Sequence, residues 1–204
     1  MLTKLKEKIQ AMLSAEAKAA HKIGLTPNMI TFIGIFLAFL SALAYATWHV
    51  NTLYLLLATF LLLFSGFCDA LDGVLARLYQ EATAFGGFLD SLLDRYADAV
   101  VYAGIMIGGL CDALWGLIAL TGSLLVSYSR ARAEAAGIKM ESIGLAERAE
   151  RIIILAIASL VALFWQPETA INTGIIVLAI LSNLTVLQRS AYAYKKLKKK
   201  ETKI

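Results

Sequence analysis

Six long apolar stretches follow one another along the chain, separated by short polar connections. They cover approximately residues 28–50, 52–76, 84–111, 112–129, 148–165 and 170–190. Each stretch is close to the ~20 residues that an α-helix needs to cross ~30 Å of hydrocarbon. The pattern therefore predicts an all-α integral membrane protein with six transmembrane helices.

The segment before the first predicted span has a different pattern, with apolar residues at helical spacing and lysines between them. The apolar positions are Leu2, Leu5, Ile9, Met12 and Leu13. This pattern is typical of an amphipathic helix in the membrane interface, and the alternative is a solvated, frayed terminus. We accordingly divide the chain into an amphipathic juxtamembrane helix at 1–22, a six-helix domain at 23–190 and a basic tail at 191–204.

Composition and charge support this assignment. Hydrophobic residues make up 59% of the chain and charged residues only 17%, whereas soluble domains carry about 25% charged residues. The 19 lysines and arginines lie before the first span, around the second and fourth connections, or in the tail. Such charges mark cytoplasmic segments, so both termini are predicted to be cytoplasmic. The positive charge then reflects orientation and contact with membrane lipids, and it predicts no nucleic-acid partner.

Four acidic residues lie where the membrane makes a charge costly. Asp69 and Asp72 end the second apolar stretch, and Asp90 and Asp94 lie inside the third. Their i, i+3 and i, i+4 spacings put each pair on one helix face. A site with only carboxylate ligands suits a hard divalent cation such as Mg²⁺ or Mn²⁺.

Four carboxylates brought together repel one another, and two divalent ions would neutralise them. Paired metals are a recurrent way of holding a phosphoryl group during transfer. The alternative is that these acids only form ion pairs with Arg77 and Arg95.

The residues around the four acids form a longer motif. It reads Asp69-Ala-Leu-Asp72-Gly73-Val-Leu-Ala76-Arg77, then eight residues, then Gly86-Gly-Phe-Leu-Asp90-Ser-Leu-Leu-Asp94. This motif resembles the signature of the CDP-alcohol phosphatidyltransferases at eight fixed positions over 26 residues. The six-span architecture of that family covers the whole chain. The segment at 25–31 also resembles the family's cytidine-nucleotide contact, and by itself it predicts a helix start with Thr26 as N-cap.

The resemblance implies transfer of a phosphatidyl or archaetidyl group from a CDP-linked lipid to an alcohol, with release of CMP. It assigns Asp69, Asp72 and Asp90 to a first metal ion. It assigns Asp69, Asp90 and Asp94 to a second, with Asp94 also as the general base. The donor-binding residues it implies are Asn28, Met29, Ile30, Thr31, Gly73, Arg77 and Thr83. It further implies a homodimer in the cell membrane with its active site at the cytoplasmic face.

The acceptor is indicated by arginines from three predicted helices. Arg130, Arg151 and Arg189 all lie at cytoplasmic helix ends, and together they suit a dianionic phosphate. The segments around Arg130 and Arg151 resemble the inositol-phosphate-using branch of the family. In that branch the positions of Ser127, Arg130, Arg151 and Arg189 form the acceptor-phosphate pocket. We interpret the remaining basic residues here as ordinary flanking charges, namely Arg132, Lys139 and Arg148.

Three alternatives stay open at this point. The first is an acceptor of glycerol-3-phosphate, as in a phosphatidylglycerol-phosphate synthase, because it too carries a phosphate. The second is a divalent-cation transporter, although such transporters usually have internal repeats and none is found here. The third is a non-catalytic membrane scaffold, which the complete set of four aspartates disfavours. The Gly104–Gly108 pair is a small-residue pattern that packs helices either within or between chains.

Overall fold

The structure is a computed structural model that describes residues 13–140 and 143–201, with side chains described up to residue 199. In these ranges it contains seven α-helices and no strand, which confirms the predicted all-α class. The helices are α1 at 13–22, α2 at Pro27–Ala46, α3 at Leu53–Leu78, α4 at Ala84–Ile107, α5 at Ala113–Ala135, α6 at Arg148–Val161 and α7 at Pro167–Glu201. A short 3₁₀ helix, Trp48–Val50, joins α2 to α3.

Side-chain caps fix the starts of two helices that matter for the site. Thr26 has extended backbone angles, and its hydroxyl accepts a hydrogen bond from the Met29 amide at 3.4 Å. Pro27 then occupies the first turn of α2, where its missing N–H costs nothing. Thr83 caps α4 in the same way and accepts from the Gly86 amide at 2.9 Å. The helix start predicted at Thr26 is therefore confirmed.

Three helices are long and apolar enough, by length and composition, to cross a membrane: α2, α3 and the Pro167–Lys199 part of α7. Large apolar side chains on them, such as Phe36 on α2 and Phe60 on α3, point outward and are more than half exposed. Such a surface fits lipid rather than water. Helix α6 has only 14 residues and spans about 21 Å at 1.5 Å per residue.

The first and last helices can be compared with the predicted juxtamembrane helix at 1–22 and the predicted tail at 191–204. Helix α1 packs Ala17 and Ala20 against Ile30 and Leu75, so α1 is docked on the helix bundle. The other part of the predicted juxtamembrane helix, at 1–12, lies outside the described residues. Helix α7 continues to Glu201 and so includes residues 191–201 of the predicted basic tail.

The Gly104–Gly108 pair lies where α4 packs closely against α2 and its connection to α3. A Cβ at Gly104 would collide with the backbone of Ala42, and one at Gly108 would collide with the carbonyl of Tyr45. The pair therefore lets two helices of the same chain approach closely.

The start of α2 and the end of α3 meet at one end of the helix bundle, and so do the start of α6 and the end of α5. Thr31 near the start of α2 contacts Asp72 near the end of α3. Arg148 at the start of α6 contacts Asp69 on α3, and Arg189 on α7 contacts the backbone of α5. The polar residues singled out in the sequence therefore gather at one end of the bundle.

Candidate active site

Three aspartate side chains lie close together at this end of the bundle, and we name this cluster of Asp69, Asp72 and Asp90 the carboxylate group. Each residue offers an oxygen within 4.8 Å of the other two. Asp72 is buried, and its Oδ2 accepts a hydrogen bond from the Thr31 hydroxyl at 2.6 Å. The buried Oδ1 of Asp90 has no hydrogen-bond partner among the described residues. The structure thus brings together the three residues assigned to the first metal ion.

The chemistry of the carboxylate group fits a divalent cation. All of its ligands are carboxylate oxygens, which hard cations such as Mg²⁺ and Mn²⁺ prefer. A buried carboxylate oxygen without a donor costs free energy, and a bound cation would supply the missing partner of Asp90. The prediction of a divalent metal site is therefore supported by an independent structural observation.

Asp94 lies one helical turn further along α4 and is held differently. Its Oδ1 is 2.7 Å from Nη1 of Arg148, and its Oδ2 is 3.6 Å from Nη1 of Arg95. Asp94 lines a cavity of about 10 Å³ beside the carboxylate group and also lines the larger cavity next to it. It is therefore placed between the carboxylate group and that larger cavity.

The interpretation of Arg148 as an ordinary flanking charge is wrong. Its Nη1 is 2.8 Å from Oδ2 of Asp69 and 2.7 Å from Oδ1 of Asp94, and its Nε is 3.4 Å from Oδ1 of Asp98. A position at the start of a helix suggested a flanking role, whereas the side chain turns inward. Arg148 and Arg151 lie three positions apart and so share one face of α6, but this spacing does not show which way that face points.

Asp98 is a site residue that the sequence reasoning missed. Its Oδ2 accepts hydrogen bonds from the Ser123 hydroxyl and from Nη2 of Arg151, both at 2.7 Å. Asp90, Asp94 and Asp98 follow at intervals of four residues, so they share one face of α4. This periodicity could have extended the acidic cluster by one member.

The α5–α7 cavity has a volume of about 260 Å³ and adjoins the carboxylate group. All four residues assigned to the acceptor phosphate line it: Ser127, Arg130, Arg151 and Arg189. Asp69, Asp94 and Arg148 line it as well. The α5–α7 cavity is thus in direct contact with the proposed metal ligands.

The arginines of the α5–α7 cavity differ in how they are held. Arg189 is almost fully buried, and it donates to the carbonyls of Ile143 at 2.7 Å and Val126 at 2.5 Å. It therefore ties the loop before α6 to the end of α5. Arg130 is 44% exposed and pairs with Glu134 on its own helix at 2.9 Å.

The α2–α4 cavity has a volume of about 160 Å³ and adjoins the carboxylate group at Asp72 and Asp90 rather than at Asp69. Five of the seven residues assigned to the donor line it: Asn28, Thr31, Gly73, Arg77 and Thr83. A Cβ at Gly86 would come within 2.9 Å of the Thr83 hydroxyl and 3.2 Å of Oδ1 of Asn28. A side chain at this position would therefore displace the Thr83 hydroxyl, which caps α4, and would crowd Asn28.

The other two donor-assigned residues are not among those lining the α2–α4 cavity. Met29 is 48% exposed on the outside of α2. Ile30 is buried in the apolar cluster that includes Ala17 and Leu71.

The site as a whole consists of a cation-binding carboxylate group between two polar cavities. The α2–α4 cavity offers an arginine and amide and hydroxyl groups, and the α5–α7 cavity offers several arginines. This arrangement suits two phosphate-bearing molecules that meet at a metal ion.

Comparisons with known proteins agree with this geometry. Residues 24–187 match the family described as CDP-alcohol phosphatidyltransferase. The archaetidylinositol phosphate synthase of Pyrococcus horikoshii is 42% identical over 197 residues, which cover 97% of this chain and 98% of that protein.

The fold is also similar to crystal structures of phosphatidylinositol phosphate synthase from Mycobacterium tuberculosis. The structure with CDP-DAG bound has a TM-score of 0.75 and 30% identity, and the match covers 90% of this chain and 94% of that one. The structure in complex with manganese and citrate also has a TM-score of 0.75 and 30% identity, with 89% and 88% covered. The chain therefore belongs to the CDP-alcohol phosphatidyltransferase family.

Proposed function

We propose that this protein transfers a phosphatidyl or archaetidyl group from a CDP-linked lipid to a hydroxyl of inositol phosphate, releasing CMP. The main support is the position of the carboxylate group between the α2–α4 cavity and the α5–α7 cavity. The names of the relatives support the same acceptor, and CDP-DAG is bound in one of the similar crystal structures.

The metal-binding residues in this proposal are the four aspartates. Asp69, Asp72 and Asp90 would hold one divalent cation, Mg²⁺ or Mn²⁺, and Asp69, Asp90 and Asp94 a second. When bound, such ions stabilise the negative charge that develops on phosphoryl oxygens. The unpartnered oxygen of Asp90 supports the first assignment.

Asp94 is the proposed general base. Its carboxylate faces the α5–α7 cavity, where it can take the proton from the attacking hydroxyl of the acceptor. The hydroxyl oxygen then bonds to the phosphorus that carries the lipid, and the bond from that phosphorus to CMP breaks. CMP leaves with the electron pair of the broken bond.

The donor and the acceptor reach the aspartates from different cavities in this mechanism. Asn28, Thr31, Gly73, Arg77 and Thr83 would hold the cytidine diphosphate, and the guanidinium of Arg77 can bind phosphate oxygens in bidentate fashion.

The acceptor phosphate would be bound by Ser127, Arg130, Arg151 and Arg189, which line the α5–α7 cavity. Glycerol-3-phosphate is the second candidate acceptor, because the same arginines would bind its phosphate.

We further propose that the domain at 23–190 crosses the membrane six times, with both termini and the site at the cytoplasmic face. The distribution of lysine and arginine supports this orientation. The homodimer remains a prediction, and the molecular mass of the detergent-purified protein, measured by light scattering, tests it.

An acceptor screen tests the proposed function. The purified protein is given CDP-diacylglycerol or CDP-archaeol and Mg²⁺, and CMP release is measured with inositol phosphate, glycerol-3-phosphate or free inositol. We expect release with inositol phosphate and little with the other two. Release with glycerol-3-phosphate alone would establish the second candidate, and no release with any acceptor would contradict the enzyme assignment. The Asp94→Asn variant controls for contaminating activity.

A further inference from the structure

Arg148 is held to Asp69 and Asp94 by charge rather than by well-directed hydrogen bonds. Its Nη1 lies 2.8 Å from Asp69 and 2.7 Å from Asp94, yet this buried atom meets neither carboxylate with hydrogen-bond geometry. Its Nε donates a long hydrogen bond of 3.4 Å to Oδ1 of Asp98. A guanidinium gains most from directional, bidentate contacts. A cation that compensates the charge of Asp69 can therefore take the place of Arg148 there.

Asp69 is shared between this arrangement and the carboxylate group. It supplies one of the three converging oxygens with Asp72 and Asp90, and it is also a partner of Arg148. A divalent cation at the carboxylate group would compete with Arg148 for Asp69 and would repel the guanidinium as well.

The same guanidinium borders the proposed acceptor site. Arg148 lines the small cavity beside the carboxylate group and the α5–α7 cavity. The described charged side chains that line the α5–α7 cavity are five arginines and five acids. Their charges balance, so the cavity attracts a dianion only weakly until some of its acids are neutralised by other cations.

We propose that Arg148 couples the cation site to the anion site: a divalent cation that binds Asp69 displaces its guanidinium, which then binds a phosphate in the α5–α7 cavity. The inference rests on the proposed function only for the identity of the acceptor. Arg148 competes with the cation while the site is empty of metal and contributes to the acceptor phosphate site once metal is bound. By linkage, the cation and the phosphate raise each other's affinity by the same factor.

Cation binding gives the first test. Mn²⁺ is titrated into detergent-purified protein without donor lipid, and free Mn²⁺ is measured by its EPR signal. Because Arg148→Gln removes a competitor, we expect this variant to bind Mn²⁺ about tenfold more tightly, within the usual range of coupling between sites.

The matched control is Arg95→Gln, which also removes a positive charge beside Asp94. Its pair is longer and more exposed, at 3.6 Å, so we expect a change of about twofold. Weaker or unchanged Mn²⁺ binding by Arg148→Gln contradicts the proposal. Equal tightening in both variants also contradicts it, because general electrostatics would then explain the effect.

Anion binding gives the second test. The affinity for inositol phosphate and for inorganic phosphate is measured by calorimetry with and without Mn²⁺. In the wild type we expect Mn²⁺ to raise both affinities at least about fivefold, and in Arg148→Gln we expect most of this dependence to disappear. An undiminished dependence in Arg148→Gln would mean that the metal itself binds the phosphate, and the role of Arg148 would be refuted.

Two further controls separate the possible failures. Arg148→Lys keeps the positive charge but loses the forked donors of the guanidinium, so we expect its Mn²⁺ affinity to lie between those of the wild type and Arg148→Gln. The lysine variant serves as the test if Arg148→Gln does not fold. Absence of CMP release with inositol phosphate would overturn the proposed function alone, because coupling between Mn²⁺ and inorganic phosphate is measured without donor lipid or turnover.

Discussion

The α2–α4 cavity and the α5–α7 cavity share the aspartates but draw their other residues from different parts of the chain. The polar groups of the α2–α4 cavity come from 28–31 and from 72–90, in helices that follow one another. Those of the α5–α7 cavity range from Asp69 to Arg189 and come from five helices. One cavity is therefore specified by spacing along two or three helices, and the other by contacts between residues far apart in sequence.

The carboxylate group and the α5–α7 cavity form a second pair of regions, and they differ in how their charges are balanced. In the carboxylate group, Oδ1 of Asp90 has no partner among the described residues. In the α5–α7 cavity, Arg151 and Arg189 are buried and already bonded to Asp98 and to backbone carbonyls. Substitutions in the first region should therefore remove function and leave the fold intact, whereas many in the second should affect both.

The largest expected effect on activity follows Asp90→Asn. The loss of a cation ligand removes several kcal/mol of charge stabilisation, so CMP release should fall about 10⁴-fold. Because the buried Oδ1 of Asp90 has no hydrogen-bond partner among the described residues, the midpoint of thermal unfolding without metal should not decrease. Mn²⁺ binding measured by EPR should weaken in parallel with activity. A large drop in thermal stability would show that Asp90 supports the fold as well, and would remove the contrast between the two regions.

Asp94→Asn should reduce kcat by about 10²- to 10⁴-fold, the usual contribution of a general base. Donor binding should change little, because Asp69, Asp72 and Asp90 still hold a cation. Single-turnover CMP release together with equilibrium binding of the CDP-lipid would distinguish these effects. Near-normal turnover would exclude Asp94 as the base.

Asp98→Asn should mainly destabilise the α5–α7 side. The substitution leaves Arg151 buried beside a neutral amide, and removing one partner of a buried ion pair typically costs about 3–5 kcal/mol. We expect a lower midpoint of thermal unfolding and a higher KM for inositol phosphate. Ser123→Ala, which removes only the neutral donor to Asp98, is the matched control and should have a smaller effect.

The donor residues of the α2–α4 cavity were implied by the resemblance to the family, whereas the carboxylate group followed from the helical spacing of its residues. Asp69 and Asp72 share one face of α3, and Asp90 and Asp94 share one face of α4, whatever the rest of the chain does. The positions of the helices followed from apolar stretches in the same way. The number of membrane crossings follows less directly from the apolar stretches, because α6 is short and α4 carries acidic residues.

The role of Arg148 could not be obtained from such local patterns. Its partners Asp69 and Asp94 lie 79 and 54 positions earlier in the chain, on α3 and α4, and only tertiary packing, including that of α6 on α3, brings them together. The capping of helices was predictable at Thr26, where residue type and proline agree. The inward turn of Arg148 depends on tertiary contacts that no spacing rule encodes.

Within the α5–α7 cavity, Arg130→Ala should affect binding alone, whereas Arg189→Ala should also lower stability. Loss of one charge-assisted contact to a phosphate costs about 1.5–3 kcal/mol, so both variants should raise the KM for inositol phosphate roughly 10- to 100-fold. Only Arg189→Ala breaks bonds to two backbone carbonyls. Arg132→Ala, one helix face away from Arg130, is the control and should change neither quantity much. A rise confined to the KM for the CDP-lipid would assign these arginines to the donor.

The smallest expected effect separates two neighbours at the start of α2. Asn28 lines the α2–α4 cavity, with its Oδ1 close to Gly86, whereas Met29 is exposed on the outer face of the helix. Asn28→Ala should raise the KM for the CDP-lipid about tenfold, as expected for the loss of one or two hydrogen bonds. Met29→Ala should change it less than about twofold, because substitutions at exposed positions away from special features usually matter little. Steady-state CMP release at saturating inositol phosphate measures both values. If Met29→Ala had the larger effect, the nucleotide would have to contact the outer face of α2, and the α2–α4 cavity would not be the donor site.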